Sequence, residues 1–383
     1  CGNTDNGSAA TGTNAATESA AASDSAASGS VFKIGGIGPT TGGAAVYGLA
    51  VQHGAEIAVE EINAAGGING YQVEFKFQDD EADAEKSVNA YNALKDWGAQ
   101  IIDGSTTSGA CIAVTDKTKE DNMFQITPSG SAVECVQYDN NFRVCFSNPN
   151  QGLASAQYIG ENGLAEKIAV IYDSSDVYSS GIYEKFVKEA ENQPFEVVAA
   201  EAFTADNKTD FSVQLQKAKD AGADMVFLPI YYQESALILT QAAAMGYAPK
   251  WFSCDGMDGI LGGVDNFDVS LTEGVMLLTP FAADATDDLT QSFVTKYKEK
   301  YGDTPNQFAA DSYDAIYVIK AAIEKSGVTP DMSVSDICDG MKAAMTEITV
   351  DGLTGNGMTW TADGEANKAP KAVVIENGAY KAM

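Results

Sequence analysis

The strongest constraint in this chain is a rhythm. From residue 31 onward, short β-branched runs alternate with amphipathic segments. Strands are predicted at 31–38, 71–79, 100–104 and 123–127, with helices between them at 45–64, 83–97 and 108–121. Parallel strands need a long crossover, usually a helix, so this order specifies a parallel sheet wrapped by helices. In the first helix Val51, Ala55, Ala58 and Ile62 recur at three- and four-residue spacing, with Gln52, Glu56, Glu60 and Asn63 on the other side. Gly66 and Gly67 then supply a C-terminal cap and Asn69-Gly70 a turn. After "SNPNQG" (147–152) the rhythm restarts with a helix to about 162, then strand 167–172, helix 179–192, strand 196–202, helix 209–221, strand 225–230, helix 232–245 and strand 250–254. Two α/β sheets in series, split by a Pro/Asn junction, predict two lobes, which suits 383 residues of which 45% are hydrophobic. The segment 288–327 reads as almost wholly helical, and 358–383 as a terminal pair of strands.

The first thirty residues contain only Ala, Gly, Ser, Thr, Asn, Asp, Glu and the opening cysteine, too little apolar surface to offset ordering entropy. Residues 1–30 are therefore expected to be a flexible tether, and a cysteine followed by a polar tether looks like a mature bacterial lipoprotein whose Cys1 carries the lipid. No apolar run approaches the roughly 20 residues of a membrane span. The formal charge of −31 repels phosphate backbones, so nucleic acid is not expected as a partner. Of the five later cysteines, Cys135 and Cys145 bracket "VQYDNNFRV", a turn-like stretch with extended flanks, and are the expected disulfide; Cys111 is the expected odd thiol.

The glycine-rich stretch "GGIGPTTGGAAVYG" (35–48) raises the question of a phosphate cradle. A dinucleotide fingerprint needs glycine where Thr41 stands, and a P-loop needs lysine where Ala44 stands, so both phosphate readings fail. The stretch reads instead as a turn presenting Tyr47. His53 is the sole histidine, and with Glu56 and Glu60 on its helical face it reads as part of a solvated surface; Cys-x-x-Cys spacing is absent, and no metal or cofactor is expected. The acidic run "DDEADAE" (79–85) sits where carboxylates favour a helix N-terminus.

In open α/β sheets ligands bind beyond the carboxyl ends of strands. There "GSTTSGA" (104–110) offers Ser108 and the amides of a helix N-terminus to an anion, and "ITPSGSA" (126–132) presents Ser129, Gly130 and Ser131. "YDSSDVYSSG" and "LPIYYQES" carry tyrosines, and "WFSCDGMDG" places Asp255 at a strand end. Hydroxyls, aromatic rings and one carboxylate, with no nucleophile beside a base, suit an amino-acid zwitterion. Serine hydroxyls and helix-end amides fit an α-carboxylate, Asp255 fits an α-ammonium, and Tyr47 with Phe308 can cover an apolar side chain.

From Lys33 onward the chain resembles the type I periplasmic binding proteins of the leucine/isoleucine/valine transporter family. The resemblance is carried by "IGPTTGGAAVYGLAVQHGAEIAVEEINAAGGING", "ITPSGSA", "KIAVIYDSSDVYSSG" and "QFAADSYDAI". It implies two Rossmann-like lobes joined by a three-segment hinge, with lobe 1 at 31–149 plus 281–353 and lobe 2 at 150–280 plus 354–383. Carried over residue by residue, it puts the side-chain-covering tyrosine at Tyr47, carboxylate binding at Ser108 and at Ser129, Gly130 and Ser131, far-lobe aromatics at Tyr178 and Tyr231, and ammonium binding at Asp255. By this resemblance the glycines of 35–48 let the backbone approach a small zwitterion and set Tyr47 over it. The first-lobe disulfide of some members has no counterpart in "FQDDEADAE", one residue is inserted in "DSSDVY", and Asp255 stands where leucine binders carry Glu.

The implied protein is a monomeric, lipid-anchored, extracytoplasmic component of an ABC importer. It captures a small, branched-chain amino acid and hands it to a permease without chemistry. The alternatives are another amino acid, an aromatic acid or a short amide in the same fold. An enzyme would need a nucleophile beside a base, and a sensor ectodomain would need a membrane segment after Met383.

Overall fold

The computed structural model describes residues 30–383; the expected anchor Cys1 and residues 2–29 of the expected tether lie outside the described residues. The first sheet has the order β2-β1-β3-β4-β5, all parallel, from β1 (Phe32–Gly38), β2 (Val73–Asp79), β3 (Ile101–Asp103), β4 (Phe124–Thr127) and β5 (Asn141–Arg143). Helices α1 (Ala45–Ala64), α2 (Ala84–Trp97) and α3 (Ser108–Asp121) make its crossovers. Phe32, Ile34 and Ile37 of the interior strand β1 are fully buried, each contributing about 1.5–3 kcal/mol of transfer free energy.

After α4 (Asn148–Glu161) a second sheet begins. Its order is β12-β11-β10-β9-β8-β6-β7, from β6 (Lys167–Asp173), β7 (Glu196–Phe203), β8 (Met225–Leu228), β9 (Lys250–Ser253), β10 (Met276–Thr279), β11 (Lys371–Glu376) and β12 (Ala379–Ala382). Strands β6 to β10 run parallel, while β11 and β12 add an antiparallel hairpin at one edge. The crossovers are α5 (Val177–Ala190), α6 (Ser212–Asp220) and α7 (Tyr232–Ala244). The sequence rhythm missed β10, a fully buried four-residue run preceded only by short 3₁₀ turns and no α-helix, and gave only extended flanks where β5 forms.

Between β10 and β11 the chain returns to the first sheet through α8 (Asp288–Tyr301), α9 (Gln307–Ser326) and α10 (Val334–Ala344), and α9 packs along α1. A glycine permits that packing, since a Cβ on Gly54 would stand 2.0 Å from the Ala309 carbonyl oxygen. The architecture is the expected α/β class of two sheets crossed three times by the chain.

The cysteines depart from expectation. Cys111, Cys135, Cys145, Cys254 and Cys338 are all buried and free. Cys135 sits in a single 3₁₀ turn (Val133–Val136), packs with Cys111 and Ala132, and donates to the Ser108 carbonyl at 3.7 Å. Cys145 turns instead toward the Gly130 carbonyl, 3.5 Å away. The turn between them aims the thiols at different partners, so the expected Cys135–Cys145 bond is absent and Cys111, expected alone, is the neighbour of Cys135.

Candidate ligand-binding site

Both sheets send the loops beyond their strand ends into one cavity. From the first sheet come Thr106, Thr107 and Ser108 after β3 and Ser129 after β4; from the second come Tyr178, Tyr231, Asp255 and Gly256. Tyr47 at the start of α1 and Phe308 in the first turn of α9 complete the wall. The Asn306 side chain fixes the start of α9 by accepting from the Phe308 and Ala309 amides at 3.0 and 3.2 Å.

The first-lobe wall consists of hydroxyls in defined states. Ser108 Oγ accepts from the Ser131 and Ala132 amides at 3.3 and 3.2 Å, so both lone pairs are engaged and its proton is left to give. Thr107 precedes α3 as its N-cap, yet its hydroxyl makes no cap bond and is buried without a partner. A buried hydroxyl left so is costly unless something else satisfies it, which makes Thr107 a candidate ligand contact that sequence reasoning missed. The Ser129 hydroxyl donates to the Thr106 carbonyl at 2.6 Å and therefore faces the cavity as an acceptor.

Two expected residues lie behind this wall. The Gly130 amide donates to Thr127 Oγ1 at 2.8 Å, and its carbonyl accepts from Arg143 Nη1 at 2.7 Å. Ser131 Oγ donates to Asn148 Oδ1 at 2.7 Å. They support the loop rather than line the cavity, because the tight turn after Thr127 points them at Arg143 and α4.

The second-lobe wall carries the charge. Tyr178 Oη donates to Asp255 Oδ1 at 2.5 Å and accepts from the Gly256 amide at 2.9 Å. The Asp255 amide donates to Gln151 Oε1 at 3.1 Å. Burial pushes the Asp255 carboxyl up to about 6, with the bonds from Tyr178, Gln151 and Gly256 opposing it, so at neutral pH the group remains mostly ionised.

The aromatic rings form a contiguous set. Tyr47 lies 4.4 Å from Phe308 and 5.2 Å from Tyr231, which is 5.1 Å from Tyr178, centroid to centroid. Tyr47 also joins the lobes, donating to the Gly256 carbonyl and accepting from the Tyr232 amide at 3.3 Å, while the Val46 amide donates to Tyr232 Oη at 3.2 Å. In this arrangement the cavity has a volume of about 10 Å³, room for one water, so a solute enters by parting the lobes or turning the rings.

The glycines of 35–48 act differently from expectation. Gly36 and Gly38 lie within β1 against Phe77 and Thr106 and do not reach the cavity. The residue that sets Tyr47 is Gly48, whose Cβ would fall 1.7 Å from the Pro39 carbonyl oxygen; its absence lets α1 start against that loop. His53 is half-buried and stacked on Tyr301 at 3.8 Å, while Glu60 stays exposed, so that face of α1 is covered only in part.

Fold and site together define a two-lobed solute-binding protein. The family described as periplasmic binding protein matches residues 31–379, and the chain belongs to that family. A Leu/Ile/Val-binding protein homolog of Brucella melitensis is 30% identical over 300 residues, 78% of this chain and 80% of its own length. A Pseudomonas aeruginosa protein named for binding leucine, isoleucine, valine, threonine and alanine is 30% identical over 302 residues, 77% of this chain and 78% of its own. Among solved structures, the branched-chain amino acid transporter substrate-binding protein of Streptococcus pneumoniae in complex with isoleucine matches with a TM-score of 0.82 at 28% identity, covering 92% of this chain and 98% of that one. A solute-binding protein of R. palustris in complex with benzoate shares the fold at 20% identity, with a TM-score of 0.80 and coverage of 92% and 95%.

Proposed function

We propose that this chain is the substrate-binding component of an ABC importer and captures a small amino acid, branched-chain aliphatic by preference, between its two lobes. The observation that carries the reading is the division of labour in one cavity: proton donors on the first-lobe wall, a buried carboxylate on the second, and four aromatic rings between them. The ligand α-carboxylate accepts from Ser108, Thr107 and the first-turn amides of α3, where the helix dipole adds its positive end. The α-ammonium donates to Asp255 Oδ2 and to Ser129 Oγ. Tyr47, Tyr231 and Phe308 cover the side chain. Hydrogen bonds to charged groups contribute about 1.5–3 kcal/mol each, and three or four of them support micromolar affinity after association costs.

Binding without turnover fits the site, since no cavity residue pairs a nucleophile with a base. The lobes are 31–149 plus 281–353 and 150–280 plus 354–383, hinged near 148–151, 279–282 and 350–356. Solute favours closure because it touches both walls only when they meet. In this reading the protein works as a monomer outside the cytoplasm, tethered through a lipid on Cys1, and passes its solute to a permease. Calorimetric titration with leucine, isoleucine, valine, threonine and alanine, beside benzoate and acetamide, tests the reading. Saturable binding of one of the amino acids is expected; binding of benzoate or acetamide alone would replace the amino-acid assignment.

A further inference from the structure

A second, much larger cavity lies elsewhere. It has a volume of about 610 Å³, inside the roughly 300–1,000 Å³ range of small-molecule sites. Its walls come from both lobes. Val46, Leu49 and His53 of α1 and Tyr297 of α8 stand on one side; Asp258 and Leu261 of the loop after β9 and Tyr380 of the terminal hairpin stand on the other. The wall is continuous across the seam because Val46 packs against Gly259 and Gly263, and Asp258 Oδ2 accepts from the Gln307 amide at 2.9 Å.

Its chemistry is one-sided. Asp258, Asp284 and Asp303 line the space against a single lysine, Lys298, and partial burial lowers the basicity of His53, so the imidazole does not restore the balance at neutral pH. Asp258 is itself nearly fully buried, and the buried Tyr380 hydroxyl faces it without a well-formed hydrogen bond. A buried hydroxyl and a buried carboxylate side by side in one wall suit a group that brings several N–H donors and a positive charge. The rings of Tyr297, Phe281 and Tyr380 supply apolar and π surface beside it. An anion of the same size would meet three carboxylates.

We infer that this cavity is a second small-molecule site, separate from the solute cleft, that takes an organic ammonium cation with an apolar or aromatic body. Since its walls belong to both lobes, the site is complete only when they are apposed as here.

The test uses the whole chain and two size-matched probes, 2-phenylethylammonium and phenylacetate, followed by calorimetry and saturation-transfer NMR. The ammonium is expected to bind and phenylacetate not. Gly262 lines the cavity, an added Cβ there meets nothing within 4 Å, and its backbone is outside the left-handed region, so Gly262→Trp places an indole at the cavity wall. That variant is expected to abolish ammonium binding. Asp303→Asn, at an exposed position, removes one charge and is expected to weaken binding several-fold; it keeps the proposal testable if the tryptophan variant does not fold. Binding is expected to survive Asp255→Ala. The proposal is overturned if the ammonium does not bind, if phenylacetate binds equally, if Gly262→Trp folds and binds as before, if Asp303→Asn leaves binding unchanged, or if Asp255→Ala removes the binding and so places the cation in the solute cleft.

Discussion

The two walls of the solute cleft are built on opposite plans. The first-lobe wall spreads its polarity over Thr106, Thr107, Ser108 and Ser129, none charged, while the second concentrates it in Asp255, whose orientation hangs on Tyr178 and Gln151. A distributed wall tolerates the loss of a member because neighbours still reach the ligand. A concentrated one does not, because an ammonium drawn from water without its counter-charge carries an uncompensated desolvation cost.

This contrast is broken first at Asp255. Truncating one partner of a buried, hydrogen-bonded charge pair costs about 2–5 kcal/mol, so Asp255→Ala is expected to weaken amino-acid binding roughly thirtyfold to several-thousandfold by calorimetry. Wild-type affinity in that variant removes the assignment of an ammonium to the second lobe. Tyr178→Phe deletes the hydrogen bond to the carboxylate while keeping the ring. A bond to a charged group contributes about 1.5–3 kcal/mol, and a roughly tenfold to hundredfold loss is expected if Tyr178 holds the acid in place.

Acidity sharpens the comparison next. Because the Asp255 carboxyl lies at about 6, protonation below that pH removes the ammonium's partner, and affinity should fall by up to about tenfold per pH unit. Stability of the free protein runs the other way. A carboxyl raised above its unfolded value holds its proton more tightly when folded, so its stabilising contribution is complete below the unfolded pKa and is lost as pH rises through about 6. Melting with and without ligand across pH 4.5–7.5 should therefore diverge as pH rises; parallel curves would dissociate Asp255 from binding.

On the distributed wall, Thr107→Val and Ser108→Ala each remove one neutral donor. Each bond runs to a charged carboxylate and contributes about 1.5–3 kcal/mol, but the remaining donors take up part of the loss, so a weakening of about tenfold or less is expected, and a loss matching that of Asp255→Ala would refute the redundancy. The smallest effect on binding is expected at Asp103, a buried acid of β3 pushed up to about 8 by burial, with Ser312 Oγ donating to it at 2.8 Å. Its stabilising contribution likewise fades as pH rises through about 8, so Asp103→Asn should flatten the alkaline loss of melting temperature and leave affinity unchanged.

The parts of this molecule legible in the sequence are those with a period. Alternation placed most strands and crossovers, and the cap chemistry of Gly66-Gly67 and Asn69-Gly70 marked where α1 ends. Four buried residues such as Met276–Thr279 carry no period and went unseen. At the site, strand-end loops pointed to the right segments, but adjacency in sequence does not say which way a side chain turns. Ser129 faces the cavity while Ser131, two residues on, faces Asn148, and Thr107 was passed over for its neighbour Ser108. Sequence patterning likewise chose the wrong partner for Cys135, because the partner's place depends on how α3 and the 3₁₀ turn pack.

The hydroxyl of Tyr47 reaches from the start of α1 to the Gly256 carbonyl and the Tyr232 amide, bonds that require no solute. Capture is then gated: a molecule waits for these bonds to part before it enters. At low supply the observed rate follows encounter, whereas at high supply it levels off at the speed of parting. Scarcity is thus answered at the pace of encounter scaled by the open fraction, and abundance at the pace at which the lobes part.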